Sequence, residues 1–276
     1  RDCLLSRGLG DVYKRQRLDG EAQKGVYPKD VILEVLGRIR ADGAVYKAID
    51  FTGSYVEKLN VAGRMTICNM AVEMGAKTAY MQPNADVLNY VDKRAVRPYE
   101  VQFTDPDFQY EESYVFDVSK IEPNLACPSS VENVHPLSEV VANGPIKLNQ
   151  GYIGSCTGGR VEDIAIAAKI LKGRHIPEYT RLIVVPASNE VMQECMKAGY
   201  IQDLMNAGAT ITTPGCGACL GAHEGILAPG EVCITSTNRN FPGRMGSTEA
   251  LMYLASPATV AASMVNGCIT DPREFL

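Results

Sequence analysis

Pro214-Gly215-Cys216-Gly217-Ala218-Cys219-Leu220-Gly221 places two cysteines three residues apart in a glycine-rich turn. A third cysteine lies upstream, within Gly154-Ser155-Cys156-Thr157-Gly158-Gly159-Arg160. Iron–sulfur clusters are held by cysteine thiolates, usually four of them. Three thiolates on a four-iron cluster would leave one iron open to water or substrate, and an open metal ion is a Lewis acid. The two stretches therefore favour an iron–sulfur site that performs chemistry rather than electron transfer.

Two other kinds of site use the same residue types. A Cys-x-x-Cys pair can be a thioredoxin-like redox pair, but that motif usually opens a helix, and here Gly and Pro lie on both sides of it. Structural zinc requires four ligands, and His223, four residues after Cys219, could complete a set of three cysteines and one histidine. Spacing alone leaves all three sites open and favours iron–sulfur.

Composition excludes several classes of function. The net charge of −5, without a basic run, argues against nucleic acid as the main partner. No apolar run approaches the roughly 20 residues that a membrane span needs. Nine cysteines, an odd number without a signal peptide, indicate a reducing cytoplasm in which thiols serve a metal site or the core.

The first sixteen residues do not resemble a natural start. They lack an initiator Met and show no clear period, so residues 1–16 resemble a translated linker or assembly scar. We exclude them from the fold prediction, and Cys3 receives no role.

The rest of the chain alternates between helical and strand patterns. Strands alternating with helices predict an α/β fold of two three-layer domains with mostly parallel sheets, over residues 17–117 and 118–276. A proline-rich stretch at 121–146 predicts the connection, with the boundary near 117–130. Helices are predicted at 31–40, 67–74, 86–96, 161–171, 190–198 and 257–265, and strands at 45–51, 76–81, 110–118, 150–155, 181–186, 209–212 and 232–237.

Polar residues near the cysteine turns are candidates for chemistry. Ligands in parallel sheets collect at the carboxyl ends of strands, and Cys156 and Cys216 both follow strand candidates. Asn69 and Glu73 lie four apart on a largely apolar predicted helix and therefore share a face. Two arginines in the turn Thr237-Asn238-Arg239-Asn240-Phe241-Pro242-Gly243-Arg244 would suit a di- or tricarboxylate, although by itself such a turn is more often a solvated loop.

The remaining cysteines have structural explanations. Cys195, Cys233 and Cys268 lie in apolar helix or strand contexts, and free cysteine is commonly buried. Cys68 lies on a different helix face from Asn69. We interpret Cys127 and His135 as structural too; they are not part of the candidate set.

Four motifs in consistent order resemble the aconitase superfamily. They are Arg64-Met65-Thr66-Ile67-Cys68-Asn69-Met70, Gly154-Ser155-Cys156-Thr157, Pro214-Gly215-Cys216-Gly217-Ala218-Cys219-Leu220-Gly221 and Asn238-Arg239-Asn240-Phe241-Pro242-Gly243-Arg244. The nearest likeness is to the large subunits of 3-isopropylmalate dehydratase and of homoaconitase-like relatives. It runs from about Asp30 to the C-terminus.

The resemblance implies a [4Fe-4S] cluster on Cys156, Cys216 and Cys219 and a reversible dehydration and rehydration of a hydroxy-dicarboxylate. By the family pattern Glu73 contacts the reacting hydroxyl, and Asn69 and Asn238 lie near the cluster. Arg239 and Arg244 hold substrate carboxylates.

The resemblance also implies a separate small subunit that carries a swivelling domain. It implies a cytoplasmic lyase, as in leucine biosynthesis, with neither nucleic acid nor membrane as a partner.

The chain also departs from the family. The family's usual Asn after Cys-Thr is Gly158 here, so a polar contact near the cluster is expected to be lost. Catalytic His and Asp groups of the family's first domain have no counterpart before Asp30, so we expect the isolated chain to be an inactive fragment. The alternatives are a homoaconitase, an aconitase or a methylmalate-type dehydratase, and, outside enzymes, a zinc- or RNA-binding protein.

Overall fold

Two mostly parallel sheets carry the chain. The computed structural model describes residues 13–276, so Cys3 and the rest of residues 1–12 lie outside the described residues. The four strands of the first sheet are β1 (Tyr13–Asp19), β2 (Ala48–Thr52), β3 (Thr78–Tyr80) and β4 (Glu112–Asp117). Their spatial order is β3-β2-β1-β4, and every pair is parallel.

The second sheet has seven strands. They are β5 (Asn124–Ala126), β6 (Val134–Pro136), β7 (Gln150–Gly154), β8 (Arg181–Val185), β9 (Thr210–Ile211), β10 (Val232–Thr235) and β11 (Leu251–Leu254). Their spatial order is β6-β5-β11-β10-β7-β8-β9. The pairs from β11 to β9 are parallel, and β5 and β6 add an antiparallel edge.

Helices connect the strands. The α-helices are α1 (Pro28–Ile39), α2 (Ser54–Lys58), α3 (Val61–Met70), α4 (Ala85–Asp92), α5 (Leu137–Ala142), α6 (Ser155–Gly158), α7 (Val161–Leu171), α8 (Asn189–Lys197), α9 (Tyr200–Asn206) and α10 (Pro257–Asn266). Short 3-10 turns lie at Ala71–Met74, Val118–Lys120, Gly217–Leu220 and Pro272–Phe275. None of the helices in residues 13–276 combines the length and the apolar character needed to cross a membrane.

Helix α1 shows why these sequences form these elements. Pro28 occupies the first helical position, where its fixed φ is favourable and its missing N–H is not needed. Asp30 accepts a hydrogen bond from the Tyr27 backbone N–H at 2.8 Å, which closes the first turn. Val31 and Val35 lie four apart on the face that is fully buried against the first sheet.

The core of the first sheet extends to the second sheet. The hydrophobic cluster under the first sheet includes Ala126 of β5, Leu254 of β11 and Val131 of the connection between β5 and β6. Asn124 at the start of β5 donates its backbone N–H to Asp30 at 3.1 Å. The α/β class with mostly parallel sheets is confirmed. The division into domains at residues 117 and 118 stays a prediction, although the first sheet ends at Asp117 and the second begins at Asn124.

Setting residues 13–16 aside from the fold was wrong. These residues begin β1, which pairs with both β2 and β4 inside the first sheet. One of their side chains, Gln16, is fully buried, and neither its Oε1 nor its Nε2 has a hydrogen-bond partner among the described residues. Buried polar groups are normally paired. The idea that residues 1–16 form a non-native leader therefore stays a prediction about their origin.

Some element predictions were also inaccurate. The helix predicted over 67–74 begins at Val61 and is α-helical only to Met70, after which Ala71–Met74 forms a 3-10 turn. The proline-rich stretch at 121–146 contains β5, β6 and α5 rather than only a connection, because its short strands lie at the sheet edge, where Pro is tolerated. Strand β11 and helix α9 were not predicted.

Candidate functional site

Three loops meet at one edge of the second sheet. Strands β10, β7, β8 and β9 are successive parallel neighbours, so their carboxyl ends lie side by side. Cys156 follows β7, the turn with Cys216 and Cys219 follows β9, and Asn238 and Arg239 follow β10. Ligands of parallel sheets collect at this edge. The strand order thus brings loops that are distant in sequence to one place.

The Cys156 turn is sharply bent. Ser155 has a φ of 72°, which a non-glycine residue seldom adopts, and it opens the single turn of α6. The Ser236 hydroxyl accepts a hydrogen bond from Gly154 N at 3.0 Å and donates to Gly158 O at 3.2 Å. The loop after β10 therefore braces both sides of Cys156.

Gly158 is required by that brace. A Cβ at position 158 would lie 2.3 Å from Ser236 Oγ and 2.7 Å from Ser236 O. In this structure a side chain at position 158 would meet Ser236, whose hydroxyl contacts the turn on both sides. The expectation that a polar contact near the cluster is lost at this position stays a prediction.

The Cys216–Cys219 turn is tied to β7 through one buried tyrosine. Tyr152 is fully buried, and its hydroxyl donates a hydrogen bond to Cys216 O at 2.8 Å. Burial raises the pKa of Tyr152, and the nearby Cys219 and Cys216 raise it further. Gly217 is needed beneath the hydroxyl, because a Cβ there would lie 2.3 Å from Tyr152 Oη.

The loop after β10 is anchored at its centre. The Asn240 side-chain amide is buried and donates to Cys127 O at 2.7 Å and to Ser130 O at 3.2 Å. Arg244 Nη2 lies 3.8 Å from Cys219 Sγ, so the end of this loop reaches the Cys-x-x-Cys turn. One of the two predicted substrate arginines is therefore next to a predicted cluster ligand.

Helix α3 and the 3-10 turn that follows it contribute polar side chains to the site from the part of the chain that contains the first sheet. Thr66 Oγ1 donates to Thr157 O at 3.0 Å, and Asn69 Nδ2 donates to Cys156 O at 3.3 Å. Glu73 lies in the 3-10 turn, and its two carboxylate oxygens accept Arg239 Nε at 2.8 and 3.0 Å. Because α3 ends before Glu73, the helical argument for one shared face of Asn69 and Glu73 does not hold.

A buried lysine lies within the electrostatic field of the same residues. Burial lowers the pKa of Lys29 to about 8, while Cys219, Asp163, Glu73 and Cys156 act in the opposite direction. The charge of the buried Lys29 therefore interacts with cysteines from two of the loops and with the predicted catalytic Glu73.

Several buried polar atoms at this edge have no hydrogen-bond partner in the described part of the chain. They are Ser155 Oγ, Asn238 Oδ1 and Arg244 Nε. Each belongs to one of the loops that carry the predicted site residues. Buried polar atoms without partners are uncommon and typical of ligand-binding positions. This fits a polar or ionic group bound among the loops.

The three cysteine thiols are the candidate ligands of the metal sites that the sequence leaves open. Cys156 and Cys216 are exposed and Cys219 is buried, and all three are free thiols. Within residues 13–276, no group of three or more His, Cys, Asp or Glu side chains is arranged to hold a single metal ion. The zinc site with Cys216, Cys219 and the exposed His223 and the cluster site on the three cysteines both stay predictions. In a four-iron cluster each thiolate binds a different iron, so the sulfurs need not converge on one ion.

Lys29, Tyr152 and Ser236 were missed in the sequence. Only Lys29 carried a local signal, since a lysine directly after the helix-opening Pro28 lies at the end of the helix dipole that disfavours cations. The structural interpretation of Cys233 is consistent with its full burial, which raises its pKa to about 12.

Comparison with known proteins identifies the family. A profile described as the aconitase family (aconitate hydratase) matches residues 13–267. A "3-isopropylmalate dehydratase large subunit 1" of Methanopyrus kandleri is 51% identical over 265 residues, which is 95% of this chain and 62% of that protein. A "Probable methanogen homoaconitase large subunit" of Methanothermobacter thermautotrophicus is 48% identical over 94% of this chain and 60% of that protein.

One solved structure is also similar. It is the crystal structure of Thermococcus kodakaraensis aconitase X in its holo-form, with a TM-score of 0.47 and 10% sequence identity. The likeness covers 88% of this chain and 53% of that chain. This chain spans less than two thirds of the length of the curated relatives it matches. The family profile covers nearly all of the described residues, and three of the four motifs lie at the carboxyl edge of the second sheet; the chain belongs to the aconitase family.

Proposed function

We propose that this chain is the cluster-binding part of the large subunit of a hydro-lyase that isomerises a hydroxy-dicarboxylate by dehydration and rehydration. A [4Fe-4S] cluster on Cys156, Cys216 and Cys219 is its cofactor. The observation that carries the proposal is the meeting of the loops after β7, β9 and β10, joined by Tyr152 on Cys216 O and by Arg244 beside Cys219. Membership of the aconitase family supports it.

When bound, the cluster supplies an iron with an open coordination position that acts as a Lewis acid. The chain's own residues bind and orient the substrate. Arg239 and Arg244 hold its carboxylates through the planar fork of the guanidinium. Glu73 exchanges a proton with the substrate hydroxyl, and its ion pair with Arg239 fixes the carboxylate until substrate arrives. Asn69 and Asn238 donate and accept hydrogen bonds beside the cysteine turns.

The proposed substrate is 3-isopropylmalate, which places the enzyme in leucine biosynthesis in the cytoplasm. Relatives at similar identity bear the names 3-isopropylmalate dehydratase and homoaconitase large subunit, so homoaconitate is the main alternative. The name "large subunit" in these relatives supports a separate small subunit here, which in this proposal carries the swivelling domain and most of the contacts to the substrate side chain.

The cofactor is tested by elemental analysis. After anaerobic reconstitution of the intact subunit, we expect four iron and four sulfide per chain, with the broad visible absorption of a cluster. Cys156→Ser should lower the iron content, whereas Cys195→Ser, a buried cysteine remote from the loops, should not. Stoichiometric zinc without sulfide would refute the cluster and favour the zinc-binding alternative.

The reaction is tested on the reconstituted complex with its small subunit. We expect hydration and dehydration of 3-isopropylmalate in preference to homoaconitate, citrate and a methylated malate. Preference for another acid of the panel would correct the substrate but keep the reaction class. A cluster-loaded complex without turnover on any of the four would overturn the hydro-lyase proposal, and RNA binding by the cluster-free chain would then be measured.

A further inference from the structure

Lys29 is a buried cation whose hydrogen bonds go to backbone rather than to a carboxylate. The side chain belongs to a residue that is only 2% exposed. Its Nζ donates to Ser236 O at 3.1 Å and to Thr237 O at 2.5 Å, across 207 and 208 residues of sequence. Among residues 13–276, no ion pair joins Lys29 to an acidic side chain within 4.0 Å. Buried lysines are rare unless they are paired, so this placement calls for a reason beyond stability.

The two carbonyls belong to the segment that holds the candidate site together. Thr237 directly precedes Asn238 and Arg239, so its carbonyl fixes the direction in which the chain leaves β10. Ser236 braces the Cys156 turn through its hydroxyl, and its backbone N–H donates to Tyr152 O at 3.0 Å. Lys29 therefore holds, through hydrogen bonds to two backbone carbonyls, the segment that contacts two of the cysteine loops.

The positive charge of Lys29 also acts on residues of the candidate site. Cys156, Cys219 and Glu73 are close enough to interact with the ammonium through space, and Asp163 does so from α7. Asp30, the next residue on α1, interacts with it as well. Arg239 and Arg244 also carry positive charge at this edge, and Arg239 is paired with Glu73. Lys29 is thus a fixed positive charge within a site that would hold thiolates and a substrate with two carboxylates.

We propose that Lys29 is a positioning residue of the candidate site: its ammonium holds the Ser236 and Thr237 carbonyls so that Asn238 and Arg239 face the cysteine loops, and its charge stabilises negative charge bound there. This inference rests on the proposed function only for its consequences in catalysis. The positioning itself is a property of the chain without cofactor or substrate.

The positioning is tested first on the cluster-free chain by amide hydrogen exchange. Lys29→Met keeps the length of the side chain and removes the charge and the donors. We expect at least tenfold faster exchange at the amides of Ser236 and Thr237, with helix α10 unchanged. The matched control is Ser263→Ala on α10, away from the loops. It removes the buried hydroxyl that accepts a hydrogen bond from Thr270 N. Unchanged exchange at Ser236 and Thr237 in Lys29→Met would overturn the proposal.

The consequences are tested on the reconstituted complex. In Lys29→Met we expect at least a tenfold rise in KM and a cluster reduction potential shifted to more negative values, because a nearby positive charge is lost. Lys29→Arg retains the charge and should recover part of both effects; it also serves if Lys29→Met does not fold. Wild-type KM and potential in a folded Lys29→Met complex would overturn the catalytic part.

The two proposals fail in different ways. If the wild-type complex has no hydro-lyase activity but exchange at Ser236 and Thr237 still depends on Lys29, the proposed function is wrong and the positioning role stands. If the wild-type complex is active and Lys29→Met changes neither exchange nor KM, the function stands and the role of Lys29 is refuted.

Discussion

Gly217 lies where a side chain cannot be accommodated. A Cβ at this position would meet Tyr152 Oη at 2.3 Å and Val185 Cγ2 at 3.0 Å, and the φ of 51° is already unfavourable for other residues. The Tyr152 hydroxyl is fixed by its hydrogen bond to Cys216 O, so it has little freedom to move. The glycine in the middle of the Cys-x-x-Cys turn therefore permits the contact that positions Cys216.

Gly217→Ala should destabilise the fold by about 1–3 kcal/mol, the usual cost of overpacking a filled site. Denaturant unfolding of the cluster-free chain measures this difference in the free energy of unfolding. Gly173→Ala is the matched control, because Gly173 has a similar φ of 71° with no atom within 4 Å of the added Cβ. It should lose only the cost of a left-handed backbone, about 1 kcal/mol. Equal losses in the two variants would contradict the steric explanation.

Glu73 is the acidic residue that the structure brings closest to a predicted substrate arginine. Its side chain is 9% exposed and is held by Arg239. In the reconstituted complex, Glu73→Gln should lower kcat by roughly 100-fold or more, since proton transfer by a positioned side chain contributes about that much. The KM should change less, because the amide keeps the size of the side chain. Glu139→Gln, an exposed change on α5, is the control, and an undiminished kcat in Glu73→Gln would exclude a role in proton transfer.

At the scale of elements, two helices that border the site begin with carboxyls withdrawn from solvent, Asp30 fully and Asp163 partly. Asp163 closes the first turn of α7 by accepting Arg160 N at 3.0 Å, as Asp30 does for Tyr27 N in α1. Burial raises the pKa of Asp163 to about 7, and that of Asp30 also to about 7. The capping hydrogen bonds oppose this rise but do not cancel it. Each helix start therefore carries a carboxyl that tends to hold its proton in the folded state.

The pH dependence of stability follows from this shift. Between about pH 4 and pH 7 the folded chain retains a proton at Asp163 that the unfolded chain releases, so the free energy of unfolding falls as pH rises through that window. Asp163→Asn stays neutral and keeps an oxygen that can accept Arg160 N. Its stability relative to wild type should therefore rise with pH, by at most about 1.4 kcal/mol per pH unit, and level off above pH 7.

Urea unfolding at several pH values measures this difference. Asp42→Asn, the same change at an exposed carboxyl, is the matched control. A pH-independent difference between Asp163→Asn and wild type would show that the carboxyl is already ionised throughout the window.

At the scale of the whole molecule, the two sheets share core and hydrogen bonds. Thr66 reaches Thr157 O, Lys29 reaches Thr237 O, and Asn124 is held by Asp30, so contacts from the first sheet support the loops of the second. Two units that were independent would instead share few contacts across their boundary. The site is assembled from both sheets, and its geometry depends on their packing.

This coupling predicts a single cooperative unfolding transition for the cluster-free chain. Hydrogen exchange should give similar free energies of opening for β2 and β7, which are interior strands of the two sheets. Asn124→Ala should lower both, because it removes the side-chain amide that contacts Asp30 O and Glu34 at 3.3 Å each. Two separate transitions, or an effect of Asn124→Ala confined to one sheet, would contradict the prediction.

The sequence by itself determined the class of the fold, and it predicted a set of candidate site residues. Apolar periods of two and of three to four residues are local properties, so α7, β8 and α10 were predicted to within one or two residues. The cysteine spacing and the four ordered motifs indicated the family, which the comparisons confirm. The roles of all the predicted site residues stay predictions: Asn69, Glu73, Cys156, Cys216, Cys219, Asn238, Arg239 and Arg244.

Only the tertiary structure decided which of these residues meet. Glu73 pairs with Arg239 across 166 positions of the sequence. Tyr152 donates to Cys216 O across 64 positions, and Lys29 donates to Thr237 O across 208. Such contacts depend on the order of parallel strands in the sheet and on the docking of α3 against α6, and neither is encoded in a local pattern. A long-range hydrogen bond forms because packing brings its two groups together, and that packing is a property of the folded chain as a whole.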